Sequence, residues 1–339
     1  MRALILHGAG DLRLDEVPDP SPGPGELVLA VDTALTCATD AKMMRAGAHP
    51  ALGPLPAPLG HEVMGVVAAV GVGVAWPRVG DRVVVANSAP CGACAVCRSG
   101  APNLCPDIVF LTGAFAELLL VPAAIVARNT HPVAPDVAPE VAAFAEPLAC
   151  ALHSVRRCGP AGGREVIVLG GGVQGQLVAS LLAAGGDRVH LADPHADRRA
   201  RALRLGVFAA HDAPRDAASA GALAAGLTGG RGADLVVEAV GRPEVWEIAV
   251  SLARPGGEVL LHGGCPPGSV VRLPTGRIHY SEITIRGSFH HTPDVFREAL
   301  DRLAGGEIAV HEFLHSAIGL EDVATTLTAS PGDKHPVRP

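Results

Sequence analysis

The first half of the chain is written in short apolar or alternating runs: Arg2–Leu6, Glu26–Val31 and Val63–Val70. Proline and glycine bound them, most densely in Pro18-Asp19-Pro20-Ser21-Pro22-Gly23-Pro24-Gly25. Runs of this length with such punctuation predict strands. Val79-Gly80-Asp81-Arg82-Val83-Val84-Val85 adds a turn that feeds another strand. Ile108–Ala127, interrupted by Gly113, Glu117 and Pro122, reads as two strands rather than a membrane helix. No stretch before about Pro139 has the length and period of a helix.

Beyond Pro139 the period changes. Glu140–Cys158 spaces its apolar residues as a helix does. Strands are then expected at Glu165–Leu169, Val189–Ala192, Asp234–Glu238 and Glu258–His262. Helices alternate with them at Gln176–Ala184, Arg198–Leu205 and Val245–Leu252. Such alternation implies α/β architecture with a doubly wound parallel sheet. After about Ser288 one more helix is expected, near Val295–Leu303, followed by short strands and loops. There is no internal repeat and no low-complexity linker.

Composition adds limits. A chain of 339 residues accommodates two domains. Apolar residues at 48% supply a core, but aromatics at 3% mean that Ala, Val and Leu must fill it. The formal charge of −7 is spread over mixed signs, so neither nucleic acid nor an anionic membrane finds the clustered positive surface it needs. Met1–His7 is too short for a signal core. The eight cysteines are therefore expected as thiols in a reducing, cytoplasmic compartment, where clustered cysteines are read as metal ligands.

Cys91, Cys94, Cys97 and Cys105 form such a cluster, spanning fifteen residues. Four thiolates can close a tetrahedral shell around Zn²⁺ and leave no open position, which makes this a structural zinc lobe at about 91–105. An iron–sulfur cluster uses similar ligands, but nothing else in the chain points to electron transfer.

Gly170-Gly171-Gly172-Val173-Gln174-Gly175 directly follows the strand Val166–Leu169 and opens a helix, which fits G-x-G-x-x-G. Glycines there permit a tight turn and let the backbone approach a pyrophosphate at the helix N-terminus. Asp193, eighteen residues after Gly175, ends the next strand, where a carboxylate can take the adenosine ribose hydroxyls. Its charge would repel a 2′-phosphate, so NAD is favoured over NADP. Arg198 and Arg199 are read as a solvated helix face, with binding of a 2′-phosphate as the alternative.

Cys37, His61, Glu62 and Glu146 are scattered, and each alone is a weak signal. Cys37-Ala38-Thr39-Asp40 lies at a strand end, Gly60-His61-Glu62 precedes a strand, and Glu146-Pro147 starts the segment entering the α/β half. One thiolate with imidazole and carboxylate could form an open zinc shell that polarises an alcohol.

The motifs Pro22-Gly23-Pro24-Gly25-Glu26, Cys37-Ala38-Thr39-Asp40, Gly60-His61-Glu62, Val79-Gly80-Asp81-Arg82-Val83, the four-cysteine lobe, Glu146-Pro147-Leu148, the GGGVQG loop and Glu238-Ala239-Val240-Gly241 occur in this order. Together they resemble the zinc-containing medium-chain dehydrogenase/reductase superfamily over nearly the whole chain, in its sorbitol (polyol) and threonine dehydrogenase branch. The resemblance implies a GroES-like catalytic domain, 1–147 plus 289–339, split around a Rossmann NAD-binding domain, 148–288. It implies two zinc ions per chain. It makes Cys37 and His61 catalytic zinc ligands, with Glu146 or Glu62 as the third and Glu146 preferred. Asp40 becomes the partner of the zinc-bound histidine, and Thr39 the first hydroxyl of the proton relay. Val240 joins the cofactor-binding residues, and Phe115 and His290 line the pocket by a looser match.

One position departs from the pattern. The histidine that often stands three residues after Thr39 is Lys42, one of two lysines among 27 basic residues. The exit path of the proton is therefore open.

The expected function is oxidation of a small alcohol, foremost a polyol or cyclitol, with NAD, or reduction of the matching ketone. Threonine or a simple secondary alcohol is the alternative substrate. A catalytically silent NAD-binding relative and a zinc-free enone reductase are opposed by the ligand set. Relatives imply a homodimer or homotetramer, joined through an edge strand for which Ile283–Arg286 is the candidate.

Overall fold

The computed structural model describes Met1–Pro339 apart from the side chain of Ala217. The chain divides into two compact units, Met1–Ala149 with His291–Pro339, and Cys150–His290.

The first unit is antiparallel and β-rich. Its larger sheet runs in the order Thr130–Pro132, Arg82–Val85, Glu62–Val70, Leu27–Leu35 and Pro336–Val337, with Leu118–Val121 also paired to Leu27–Leu35. A smaller sheet orders Asp11–Glu16, Arg2–Gly8 and Ala57–Pro58. Leu4, Leu6, Leu27, Leu29, Val63, Val83, Val85 and Phe115 are among the residues of the core between them. Burying each such side chain contributes roughly 1.5–3 kcal/mol. Register has a consequence for chemistry. Leu35 pairs with Glu62 on one side and with Pro336 on the other, so the C-terminal strand brings Lys334 to Glu62 across the sheet.

Three helices in this unit, one of them the short Ala95–Arg98 in the cysteine lobe, correct the expectation that none precedes Pro139. Ala38–Ala46 is a helix whose N-cap is Cys37, its thiol taking the place of the usual hydroxyl or carboxylate. Ala123–Arg128 is a helix in a stretch read as strand. Pro122 at its N-cap ends the preceding strand Leu118–Val121. A further helix, Val323–Ala329, follows the expected one, which spans Pro293–Ala304.

The second unit is a parallel sheet of six strands in the order Ala209–His211, Arg188–Ala192, Glu165–Leu169, Ala233–Glu238, Ala253–Leu261 and Thr284–Gly287. Val166, Ile167, Val168 and Leu169 are all buried, as a central parallel strand requires. Strand order reverses between Glu165–Leu169 and Ala233–Glu238. That switch point, at the carboxyl ends of the strands, is where a doubly wound sheet binds its ligand. Three elements escaped the periodicity: the strand Ala209–His211 and the helices Ala217–Thr228 and Thr275–Tyr280. Among the described residues, no helix is long and apolar enough to cross a membrane.

Candidate functional site

The four cysteines of the lobe converge. Cys91 and Cys97 sulfurs lie 3.9 Å apart, Cys94 and Cys97 3.5 Å, and Cys94 and Cys105 3.9 Å. A tetrahedron with Zn–S bonds near 2.3 Å has edges of about 3.8 Å. The backbone supports thiolates here. The Ala93 and Cys94 amides donate to Cys91 Sγ, and the Cys97 amide donates to Cys94 Sγ. The Ala93 and Cys94 amides pull Cys91 down to about 6, while desolvation pushes Cys97 up to about 12. A ring of thiols divided in this way suits a cation that displaces the remaining protons.

A second set meets in the same β-rich unit. Cys37, His61 and Glu62 each offer a ligand atom within 4.8 Å of the others. The turn that delivers His61 needs Gly60. Its φ is +94°, and a Cβ there would stand 2.6 Å from the Phe115 amide nitrogen. His61 Nδ1 donates to Asp40 Oδ1 at 2.9 Å, which leaves the Nε2 lone pair available to a metal. Asp40 Oδ2 is buried without a partner. Burial would raise the Cys37 thiol, but Lys334 and His61 outweigh it and bring it down to about 6. Thiolate, imidazole and carboxylate in this order of hardness fit zinc.

The two glutamates have different partners. Glu62 is fully buried and both its oxygens meet the Lys334 ammonium, which is itself buried. Burial alone drives both groups toward neutrality, and the contact of Nζ with both oxygens favours the ion pair. Glu146, in the first turn of the helix Ala145–Arg157, takes the Asn87 side-chain amide on Oε1 at 3.0 Å. It lies outside the Cys37–His61–Glu62 group, yet near enough to influence Glu62 and Lys334 through its charge.

The other expected residues are distributed as follows. Thr39 is half-buried at the start of the helix Ala38–Ala46, and Lys42 is on its exposed side. Phe115 is fully buried beside Gly60, as part of the core. His291 is buried and donates Nε2–H to Asn87 Oδ1 at 3.0 Å. His290 is half-buried with φ +59°. Lys334 and Asn87 were not singled out from sequence. Lys334 carried a signal, since it is the second of the two lysines.

The nucleotide loop belongs to the parallel unit. Gly172 caps the helix Val173–Ala184, and a Cβ on it would meet nothing within 4 Å, so the space above the helix N-terminus is open. Gly175 must lack a Cβ, because one would stand 1.9 Å from the Gly170 carbonyl oxygen. A Cβ on Gly170 would collide with Val240, which is itself exposed at the end of the neighbouring strand. Asp193 is buried, with Oδ2 accepting from the Gly171 amide at 2.7 Å and Oδ1 from the His195 amide at 2.8 Å. Gln174 is half-buried on the first turn of the helix. Arg199 is committed to the Asp193 and Pro194 carbonyls and to Asp212, whereas Arg198 stands 3.9 Å from Asp193. Open helix terminus, glycine turn and strand-end carboxylate fit a dinucleotide.

Comparison with known proteins agrees with both halves. Residues 23–132 match the alcohol dehydrogenase GroES-like domain, and residues 174–305 match the zinc-binding dehydrogenase family. The chain is 31% identical to 2-dehydro-3-deoxy-L-galactonate 5-dehydrogenase of Pseudoalteromonas atlantica, over 92% of this chain and 90% of that one. It is 33% identical to L-threonine 3-dehydrogenase of Pyrococcus abyssi, over 85% and 81%. A structure from Sinorhizobium meliloti, assigned as a zinc-binding dehydrogenase and bound to NADP, superposes with a TM-score of 0.89 at 32% identity, covering 100% of this chain and 99% of that one. The chain thus belongs to the zinc-containing medium-chain dehydrogenase/reductase superfamily, in its polyol and threonine dehydrogenase-like branch, and is an oxidoreductase that moves hydride between a small alcohol and a nicotinamide cofactor.

Proposed function

We propose that the chain oxidises a small, multiply hydroxylated molecule with NAD, using a catalytic zinc held by Cys37, His61 and Glu146. A second zinc is held by Cys91, Cys94, Cys97 and Cys105. The observation that carries the reading is the buried Cys37–His61–Asp40 arrangement beside two glutamates of different status. Glu62 is the carboxylate within 4.8 Å of Cys37 and His61, but it already faces a buried ammonium. Sharing it with zinc would set two cations on one carboxylate. Glu146 Oε1 accepts from the neutral Asn87 amide instead. Zinc bound there supplies Lewis-acid polarisation of the alcohol or carbonyl oxygen.

The protein's own groups do the rest. Asp40 fixes the His61 tautomer and ring direction. The Thr39 hydroxyl would accept the alcohol proton and pass its own on, and a bound nicotinamide would supply the hydride acceptor. Gly170, Gly172, Val173, Gln174 and Gly175 would hold the pyrophosphate, Asp193 would take the ribose hydroxyls, and Val240 would be a further cofactor contact. The relatives named above act on a sugar acid and on threonine. The scarcity of aromatics also argues against a large apolar slot.

The test compares kcat/KM for polyols, cyclitols and sugar acids with that for plain secondary alcohols and threonine. A site built around substrate hydroxyls rejects analogues lacking them, by roughly 10⁴-fold in strong cases. Equal or better turnover of plain alcohols would remove the polyol reading, and preference for threonine would replace it with the second one.

Copies of the chain are proposed to pair along Thr284–Gly287, the edge strand of the parallel sheet, near which Tyr280 is exposed. A homodimer or homotetramer by light scattering is expected. The described cysteines form no disulfide, and a cytoplasmic, reducing location is proposed.

A further inference from the structure

Asn87 stands just after the strand Arg82–Val85, far in sequence from the two residues it joins. Its Nδ2 donates to Glu146 Oε1, and its Oδ1 accepts from His291 Nε2, both at 3.0 Å. The polarity of this chain is forced. A carboxylate accepts only, so the amide must turn its NH₂ to Glu146, its carbonyl must face His291, and His291 must carry its proton on Nε2.

The support continues behind His291. Its ring lies 5.3 Å from that of Phe296, at 47°. The same Phe296 ring stacks on His131 at 5.5 Å and 23°. His131 Nε2 faces Asn129 Oδ1 at 3.0 Å, and Asn129 Nδ2 donates to the Ser88 carbonyl at 2.9 Å. Two histidine–asparagine couples thus meet around one phenylalanine. One ends on the Glu146 carboxylate, and the other ends on the backbone of the residue after Asn87. All of these side chains are buried. Burial with Arg297 nearby brings His131 down to about 4, so that couple stays neutral at working pH. Each of these hydrogen bonds joins buried groups, so breaking one leaves a buried polar atom without that partner, and the intact bonds hold their members in one geometry.

We propose that Asn87, backed by His291, is a positioning residue for Glu146. It fixes the orientation in which the Glu146 carboxylate would be offered to the catalytic zinc. The proposal rests on the reading of Glu146 as a zinc ligand. A neutral amide suits the task better than a charged donor would. It donates at every pH, withdraws a little density from the carboxylate, and brings no net charge to compete with the metal. Partners of this kind typically alter metal affinity or activity by about 10–100-fold when removed.

The test uses the full-length, zinc-loaded enzyme in four forms: wild type, Asn87→Leu, Glu146→Gln and the double variant. Zinc transfer to a chelator is followed with a colorimetric indicator, and cobalt-substituted samples are followed by their visible spectra. The four-cysteine zinc serves as the slow internal reference. Asn87→Leu is expected to release the catalytic metal at least ten times faster and to alter the cobalt spectrum. In the Glu146→Gln background the same change is expected to add nothing, because Asn87 acts through that carboxylate. If Asn87→Leu fails to fold, Asn87→Asp keeps the shape and sets acid against acid; it should release metal faster still. Metal retention in the Asn87 variants equal to wild type, with Glu146→Gln impaired, overturns the positioning role alone. Equal acceleration in both backgrounds also overturns it, since general loosening would then suffice. Unchanged retention in Glu146→Gln overturns the ligand reading and this proposal with it.

Discussion

The ammonium of Lys334 sits against both carboxylate oxygens of Glu62, and both side chains are buried in the β-rich unit. They are 272 residues apart in sequence and meet because Leu35 pairs with Glu62 and with Pro336 at once. Removing one member of a buried pair leaves the other charge uncompensated, at about 3–5 kcal/mol. Lys334→Met should lower unfolding stability by that order. The double variant Lys334→Met, Glu62→Gln should recover much of it, because neither charge then remains. Released from its counter-ion, Glu62 should also compete for the catalytic zinc, so turnover should fall while metal retention does not. Urea unfolding and zinc analysis decide this; a single-variant cost under about 1 kcal/mol would refute the pair's structural role.

The four-cysteine lobe predicts a separable metal. Cys94 Sγ lies 3.5 Å from Cys97 and 3.9 Å from Cys105 and also caps the short helix Ala95–Arg98. Cys94→Ser should reduce elemental zinc from about two per chain to about one. Soluble yield and assembly should suffer more than turnover per folded active site, because structural zinc binding is folding free energy. Wild-type stoichiometry near one after zinc-replete preparation would contradict the two-site reading.

How much of this was legible before the fold was known depended on the distance over which each signal acts. The GGGVQG loop and the four cysteines are local, so spacing alone exposes them. Most of the parallel strands and their helices announce themselves by period. Ala38–Ala46 does not, because ATDAKMMRA is short and its cap is a thiol. Ala217–Thr228 is rich in Ala and Gly with little polar contrast, although Asp216 and Ser219 form a capping box that sequence could have shown. Glu62 with Lys334, and Glu146 with Asn87 and His291, are tertiary pairings that periodicity cannot reveal. Lysine scarcity was the one clue, and it pointed equally to exposed Lys42 and buried Lys334.

Acid should destabilise the parallel unit through His262. Its Nδ1 meets Ser154 Oγ at 2.6 Å, and burial, with His153 nearby, holds it down to about 4. A histidine depressed in the folded state binds fewer protons there than when unfolded. Its contribution is therefore complete above the unfolded value near 6.5 and is lost as pH falls from there to about 4. The loss amounts to about 3 kcal/mol across that window. His262→Asn should flatten the dependence of unfolding stability on pH between 6.5 and 4 relative to wild type. An unchanged slope would show that His262 is not the group responsible.

Cofactor choice turns on Asp193. Its carboxylate is both an acceptor for the glycine loop, through Gly171, and the charge that a 2′-phosphate would meet. These two roles can be separated. Asp193→Asn keeps an acceptor oxygen for one of the two backbone amides and removes the charge. Asp193→Ala removes both. Wild type should show higher kcat/KM with NAD than with NADP. Asp193→Asn should narrow the gap chiefly by raising activity with NADP, helped by Arg198 at 3.9 Å from the carboxylate. Asp193→Ala should narrow it chiefly by lowering activity with NAD, because Gly171 and His195 lose their shared anchor and the ribose hydroxyls lose their acceptor. Losing a hydrogen bond to a charged group costs about 1.5–3 kcal/mol, or roughly ten- to a hundred-fold in kcat/KM. Arg199 is held by Asp212 and two carbonyls, so Arg199→Ala should disturb the loop without changing the NAD to NADP ratio selectively. A wild-type enzyme that prefers NADP would reverse the assignment and give Arg198 the deciding part.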